Sequence, residues 1–387
     1  MRIGVYASML ASERGHEHNV SGHIQVPAQT VRLLHEAGHE VHLITNEFGP
    51  QHTFPARMPG GMRTHFVIDA RVRPEKLRGA QSTDGVRPLA LLKQAAQIRH
   101  VVRSNRIEVL HVFGFVRTVQ LGGALRVLRL GVPVVATILS GDVARHGGRP
   151  GRWLLRRLDA LLSATEYAAQ QYERLGARVT RVRHGIVRDL RRESGAADAG
   201  ERCRVLFWRD ANEMNGGDLC LAAFEALAPR FPDVSFDLAI RPAWNEVAGI
   251  DDLARRHPNV HVHRFPYEAG MSLARVMNES LLVILPFRRL SIDPQFAIAE
   301  SLAAGVPVIT TTVQSNPELV EPGVSGDVIP PGEAQPLIDA MAALLADRPR
   351  LLAMGRTAAE RFAQRWNWSG YVASLEGVYR STIDARR

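Results

Sequence analysis

Two successive series of short β-branched runs, each alternating with segments of helical periodicity, narrow the possible folds of this chain more than any other feature. The first series comprises apolar runs at 2–8, 40–45, 64–69, 107–113, 132–139, 161–165 and 179–184. Between them, apolar positions recur every three to four residues, as in Val26, Thr30, Leu33, Leu34 and Ala37, the spacing of one helix face. Strands apolar along their length and separated by helices predict a parallel sheet covered on both sides. A polar, small-residue stretch at 191–201 then interrupts the pattern and has the composition of a linker. The pattern restarts with runs at 204–207, 235–240, 260–265, 281–287 and 306–311, and from Leu337 onward only helices are predicted. The expected class is α/β, with two Rossmann-like doubly wound domains and an interdomain cleft. The expected domains are 1–190, a linker at 191–201, 202–365, and a closing helix at 366–387 that either crosses back to the first domain or stays with the second.

Size agrees with two cores: 387 residues exceed what a single hydrophobic core usually serves. An apolar share of 45% with 22% charged residues excludes a disordered chain. Cys203 and Cys220 fit no metal-binding spacing and read as reduced thiols of a cytoplasmic protein. No segment approaches the roughly 20 apolar residues that span a bilayer. Charge is uneven: residues 1–200 hold 29 Lys and Arg against 16 Asp and Glu, and the remainder 19 against 23. A basic first half suits an anionic partner there, such as a phosphorylated small acceptor or an anionic lipid at the inner membrane face. It also follows from an arginine-rich composition alone.

The stretch 291–332, SIDPQFAIAESLAAGVPVITTTVQSNPELVEPGVSGDVIPPG, is the sharpest motif. It sets Glu300 early in a short helix that stops at Gly305, followed by a buried strand and the turn Asn316-Pro317-Glu318. It resembles the donor-sugar signature of retaining GT-B glycosyltransferases, specifically glycosyltransferase family 4. Partial matches occur at Gly22, Asp142, Gly185 and Arg209. The resemblance implies a nucleotide-diphosphate sugar as substrate, no metal and no other cofactor. Glu300 takes the place of the carboxylate that holds the ribose. The backbone amides of Phe296, Ala297 and Ile298 would face phosphate or sugar, helped by the helix dipole.

Other positions depart from the family's pattern. Arg209, after the first strand of the second domain, matches the arginine that neutralises the diphosphate, but the companion lysine position is Asn215, which brings no charge. Arg241, ending the next strand, is the candidate replacement cation. The first family carboxylate falls at Ile292, with Asp293 one place away as its candidate substitute. Phe265 and Tyr267 are candidates for the nucleobase loop. In the first domain, Gly22 would permit close approach to the donor phosphates, and His16, His18 and His23 are candidate acceptor contacts. Leu139 stands where many family members carry a histidine near the reacting sugar. Asp142 fits the pattern, and His146 on the same loop is the candidate replacement imidazole.

Family membership would imply hexosyl transfer to an acceptor hydroxyl with retention of anomeric configuration, with Arg209, Asp142 and His146 nearest the chemistry. The departures at Asn215, Leu139 and Ile292 leave an alternative, a catalytically silent GT-B protein that binds nucleotide sugar or a partner. Arginine is plentiful, but no nucleic-acid recognition motif accompanies it.

Overall fold

The computed structural model describes residues 1–8, 10–14, 22–55, 58–70, 88–143, 148–186, 190, 202–241, 245–268 and 270–387. The chain divides into two compact units, one of Met1–Val187 with Trp368–Arg387 and the other of Arg188–Asn367.

The first unit is built on a seven-stranded sheet of β1 (Arg2–Ala7), β3 (Glu40–Asn46), β5 (Arg63–Val67), β6 (Val109–Gly114), β7 (Val134–Ile138), β8 (Ala160–Ser163) and β9 (Val179–Arg181), in the order β5-β3-β1-β6-β7-β8-β9. Every pairing in it is parallel. Between the strands run α1 (Gly22–Glu36), α2 (Pro88–Ser104), α3 (Val116–Val127), α4 (Gly148–Leu155) and α5 (Glu166–Arg174). A two-residue antiparallel pair, β2 (Ser12–Glu13) with β4 (His52–Thr53), lies outside the main sheet. β1, β6 and β7 are buried along almost their whole length, the state their largely apolar sequences favour.

The second unit has a six-stranded sheet of β10 (Arg204–Phe207), β11 (Ser235–Ile240), β12 (Val260–Arg264), β13 (Ser280–Leu285), β14 (Val308–Thr311) and β15 (Gly326–Ile329), ordered β12-β11-β10-β13-β14-β15. Its helices are α6 (Gly217–Leu227), α7 (Ile250–Arg256), α8 (Leu273–Asn278), α9 (Phe296–Ala303), α10 (Asn316–Leu319), α11 (Ala334–Leu345) and α12 (Arg348–Arg365). Val205, Phe207, Phe224, Phe236, Leu238 and Ile284 are completely buried in its core.

The last helix, α13 (Tyr371–Asp384), belongs to the first unit. Tyr371 Oη lies 2.9 Å from Thr30 Oγ1, Tyr379 Oη 2.6 Å from His111 Nδ1, and His39 Nε2 2.8 Å from Glu376 Oε1. Trp368 Nε1 donates to the Ile186 carbonyl at 2.7 Å and its ring stacks on His184 at 5.8 Å. His184 is thus a packing residue under the closing segment.

Several strand ends differ from the sequence reading. Ile107 N–H closes α2 by bonding to the Val102 carbonyl, so β6 begins two residues later. Pro133, lacking an N–H, precedes β7, and β9 stops at Arg181. β15, whose sequence GDVI carries glycine and aspartate, was absent from the expected strands. The expected linker at 191–201 lies outside the described residues.

Candidate functional site

In each sheet the strand order reverses once, between β1 and β6 in the first unit and between β10 and β13 in the second. At such a point the loops leaving the carboxyl ends of the two strands diverge and leave a crevice, where ligands of doubly wound sheets bind.

In the second unit, β10 ends at Phe207 and the chain leaves through Trp208, Arg209 and Asp210. Trp208 Nε1 donates to Ser301 Oγ at 3.0 Å, and Ser301 Oγ donates to the Ala297 carbonyl at 2.7 Å. This chain of bonds ties the loop after β10 to α9. Arg209 Nε is buried with no acceptor among the described residues. Burial lowers the Arg209 pKa from the ordinary guanidinium range, Asp210 opposes this, Arg241 lowers it further and Glu300 raises it. Arg209, Arg241 and Glu300 therefore share one electrostatic environment, although far apart in sequence.

Arg241 leaves the carboxyl end of β11 with its guanidinium carbon 6.0 Å from the centre of the Phe265 ring. Phe265 meets Tyr267 edge to face at 5.5 Å. The three candidates of the base loop and the replacement cation are thus brought together.

Asn215 is buried at the end of the loop that carries Arg209. Its Nδ2 donates to the Asp210 carbonyl and its backbone N–H to Asn212 Oδ1, both at 2.9 Å, so it braces the loop that carries Arg209. The next residue, Gly216, has φ +77°, and a Cβ there would lie 2.1 Å from the Pro286 carbonyl oxygen. Only glycine fits this crossing of the loops after β10 and β13.

α9 carries the late motif. Its first intrahelical bond runs from Ala299 N–H to the Gln295 carbonyl at 3.2 Å, so the amides of Phe296, Ala297 and Ile298 stand in the first turn, ahead of the intrahelical ladder. Glu300 is the fifth of the eight residues of α9, in its middle and not its first turn, and is 4% exposed. Asp293 is buried, as is Ile292, whose apolar side chain joins the packing. Sequence reading missed buried polar groups nearby. Gln295 Oε1, and Ser315 Oγ and Asn316 Oδ1 at the start of α10, which packs on α9, are buried without a hydrogen-bond partner among the described residues. Lone polar residues inside an apolar motif were the available signal.

In the first unit, Gly22 opens α1 after the loop leaving β1. His23 follows, its ring 5.7 Å from that of Phe115, which precedes α3 at the end of β6. These two residues meet where the strand order reverses, and Phe115 was not anticipated. Asp142, after β7, has its backbone N–H on Ser140 Oγ at 3.1 Å, and Leu139 is buried. His16, His18 and His146 lie outside the described residues. Among the described residues no group of three or more His, Cys, Asp or Glu side chains is placed to hold a metal ion. No described helix is long and apolar enough to cross a membrane.

Residues 202–347 match the family described as glycosyl transferases group 1, and residues 21–184 the glycosyl transferase 4-like domain. A GDP-mannose-dependent alpha-(1-6)-phosphatidylinositol monomannoside mannosyltransferase of Mycobacterium tuberculosis is 37% identical over 87 residues, 22% of this chain and 23% of that enzyme's length. A D-inositol 3-phosphate glycosyltransferase of Saccharomonospora viridis is 26% identical over 67% of each chain. The solved sucrose-phosphate synthase of Thermosynechococcus elongatus superposes with a TM-score of 0.71 at 16% identity, covering 99% of both chains. That likeness is one of fold.

Proposed function

The chain belongs to the group 1, 4-like glycosyltransferases of GT-B fold, and we propose that it moves a hexosyl group from a nucleotide-diphosphate donor to an acceptor hydroxyl with retention of anomeric configuration. The observation that supports this reading is Arg209 at the carboxyl end of β10, its Nε buried without an acceptor among the described residues, on a loop that Trp208 ties through Ser301 to α9, the helix of Glu300. Two guanidinium groups offer the diphosphate its countercharge. The first turn of α9 points its helix dipole toward the diphosphate, and Glu300 accepts from the ribose hydroxyls. Negative charge grows on the leaving diphosphate as the glycosidic bond breaks, so these donors bind the transition state better than the ground state. In this reading the acceptor hydroxyl attacks on the face the diphosphate leaves, and neither a protein nucleophile nor a resident metal takes part.

The relatives' names supply the candidates for the two substrates: a guanosine diphosphate sugar as donor, and an inositol-type acceptor bearing phosphate, whose charge suits the basic first half. His23 and Phe115 are the acceptor contacts of this reading, with His16 and His18 as further candidates, and Asp142 and His146 stand with Arg209 nearest the chemistry.

The test is transfer of isotope-labelled sugar from a panel of nucleotide donors, with anomeric proton couplings of the product read by NMR. Arg209→Ala is expected to lower turnover by about a hundredfold or more while the protein still folds. Undiminished turnover in that variant, or an inverted product, refutes the assignment of the diphosphate site or of retention, respectively. Donor binding without any transfer or hydrolysis leaves a binding protein in place of an enzyme.

A further inference from the structure

At the opposite end of the first unit's sheet, α3 and α4 end side by side. α3 runs from the carboxyl end of β6 and finishes near the start of β7, and α4 finishes before the start of β8. The patch they form is therefore remote from His23 and Phe115. The helices approach so closely that a Cβ on Gly123 would lie 2.2 Å from the Leu154 carbonyl oxygen. Their ends enclose a shallow recess of about 500 Å³ whose rim carries Arg126, Arg129, Arg156 and Arg157. The acid in it, Asp159, is spent: it accepts from Arg126 Nε at 3.0 Å and from Val134 N–H at 2.8 Å, and Arg386 Nε lies 3.6 Å away.

Apolar side chains stand out from the same surface. Val127, Leu128 and Trp153 are 42%, 44% and 45% exposed, and they are three of the seven large apolar residues exposed among those described. The Arg157 guanidinium sits 4.8 Å from the centre of the Trp153 ring. Folding leaves such residues in water only at a cost, and the arginines around them would repel one another unless met by negative charge.

We propose that this face docks the protein on a bilayer surface containing anionic lipid. Trp153 takes the headgroup level that indoles favour, Val127 and Leu128 reach the acyl boundary, and the arginines bind lipid phosphates. A nucleic acid would use the arginines but gives Val127 and Leu128 no partner, so it fits the patch less well.

The experiment is co-sedimentation of the full chain with vesicles of phosphatidylcholine alone or mixed with phosphatidylglycerol. Binding is expected only to the mixed vesicles, with a blue shift of emission that Trp153→Phe removes. Arg129→Ser and Arg157→Ser should each weaken partition by about fivefold, and Trp153→Ser should weaken it further. Arg255→Ser with Arg256→Ser, on the second unit, should leave it unchanged. Melting temperatures and nucleotide-sugar binding of the variants establish that they fold, and keep this result separate from the glycosyl-transfer reading. Equal binding to neutral vesicles, undiminished partition of the arginine variants, or retention by duplex DNA without vesicle binding would each overturn the proposal.

Discussion

Protonation of two buried histidines should set the acid limit of the first unit. His111 is completely buried between Tyr379 Oη at 2.6 Å and Thr137 Oγ1 at 2.7 Å, and burial lowers its pKa to about 3. His184, 2% exposed beneath Trp368, is lowered to about 4 by burial, against a smaller opposing effect of its bond to the Gly185 carbonyl. Both begin from a reference value of 6.5. As pH falls below that value the unfolded chain takes up protons that the folded chain refuses, so stability falls with pH until the folded groups titrate. Full titration of the unfolded state alone is worth about 1.4 kcal/mol per pH unit per group. Between about pH 7.5 and about pH 5 each histidine therefore removes about 2 kcal/mol. His111→Gln isolates one of them: the variant is less stable at neutral pH because packing and hydrogen bonds are lost, but it no longer titrates. Its deficit relative to the unsubstituted protein, from urea unfolding at a series of pH values, should shrink by about 2 kcal/mol over that interval. A deficit independent of pH would refute the reasoning, because it would mean that His111 exchanges protons equally in both states.

Two further perturbations follow from the second unit. Gly216→Ala meets both a left-handed backbone, which costs an alanine about 1–2 kcal/mol, and the Pro286 carbonyl 2.1 Å from its Cβ. The loop carrying Arg209 must shift, and kcat should fall by about tenfold or more; an unchanged kcat would show that the loop's position does not matter. Asp237, completely buried, accepts from Ser235 Oγ at 2.6 Å and Arg204 Nη1 at 2.9 Å, and lies 2.8 Å from His263 Nε2. Asp237→Ala strips Arg204 of a buried partner and should cost about 3 kcal/mol in unfolding experiments; a loss below about 1 kcal/mol would mean that the pair behaves as a solvated one.

The sheets were legible because their strands are buried on both faces, which makes them apolar runs that stand out from the helices between them. β15 escaped notice for the converse reason: Asp327 is half-buried on an edge strand, so its sequence carries a charge and begins with glycine. Arg209 and Glu300 could be found because they stand at the positions of the motif to which the family resemblance assigns the diphosphate and the ribose. The tilted contact of His23 with Phe115 and the bond from Trp208 to Ser301 could not be found, since each joins residues about 90 apart whose own surroundings look ordinary. The packing of the Trp368 ring on His184 likewise joins distant residues and is visible only in the tertiary structure.

The departure at Asn215 and the candidate cation Arg241 make sense together in the proposed donor site. Asn215 stands in the lysine position and uses its amide to hold the Asp210 carbonyl, which stiffens the loop of Arg209 but contributes no charge. In the proposed site the second cation is Arg241, at the end of the neighbouring strand, its guanidinium carbon 6.0 Å from the centre of the Phe265 ring. A lysine reaches phosphate as a flexible point charge, whereas an arginine lying against an aromatic ring presents a planar fork in a narrow range of orientations. Moving the charge from the loop before α6 to the end of β11 also carries it toward the edge of the sheet where Phe265 and Tyr267 stand. The same guanidinium can then face the diphosphate while the aromatic pair borders the nucleobase. The proposed site thus keeps two positive charges, and unchanged donor affinity in Asn215→Lys relative to the unsubstituted protein is the outcome expected if Arg241 replaces the lysine; a large gain in affinity would refute that replacement.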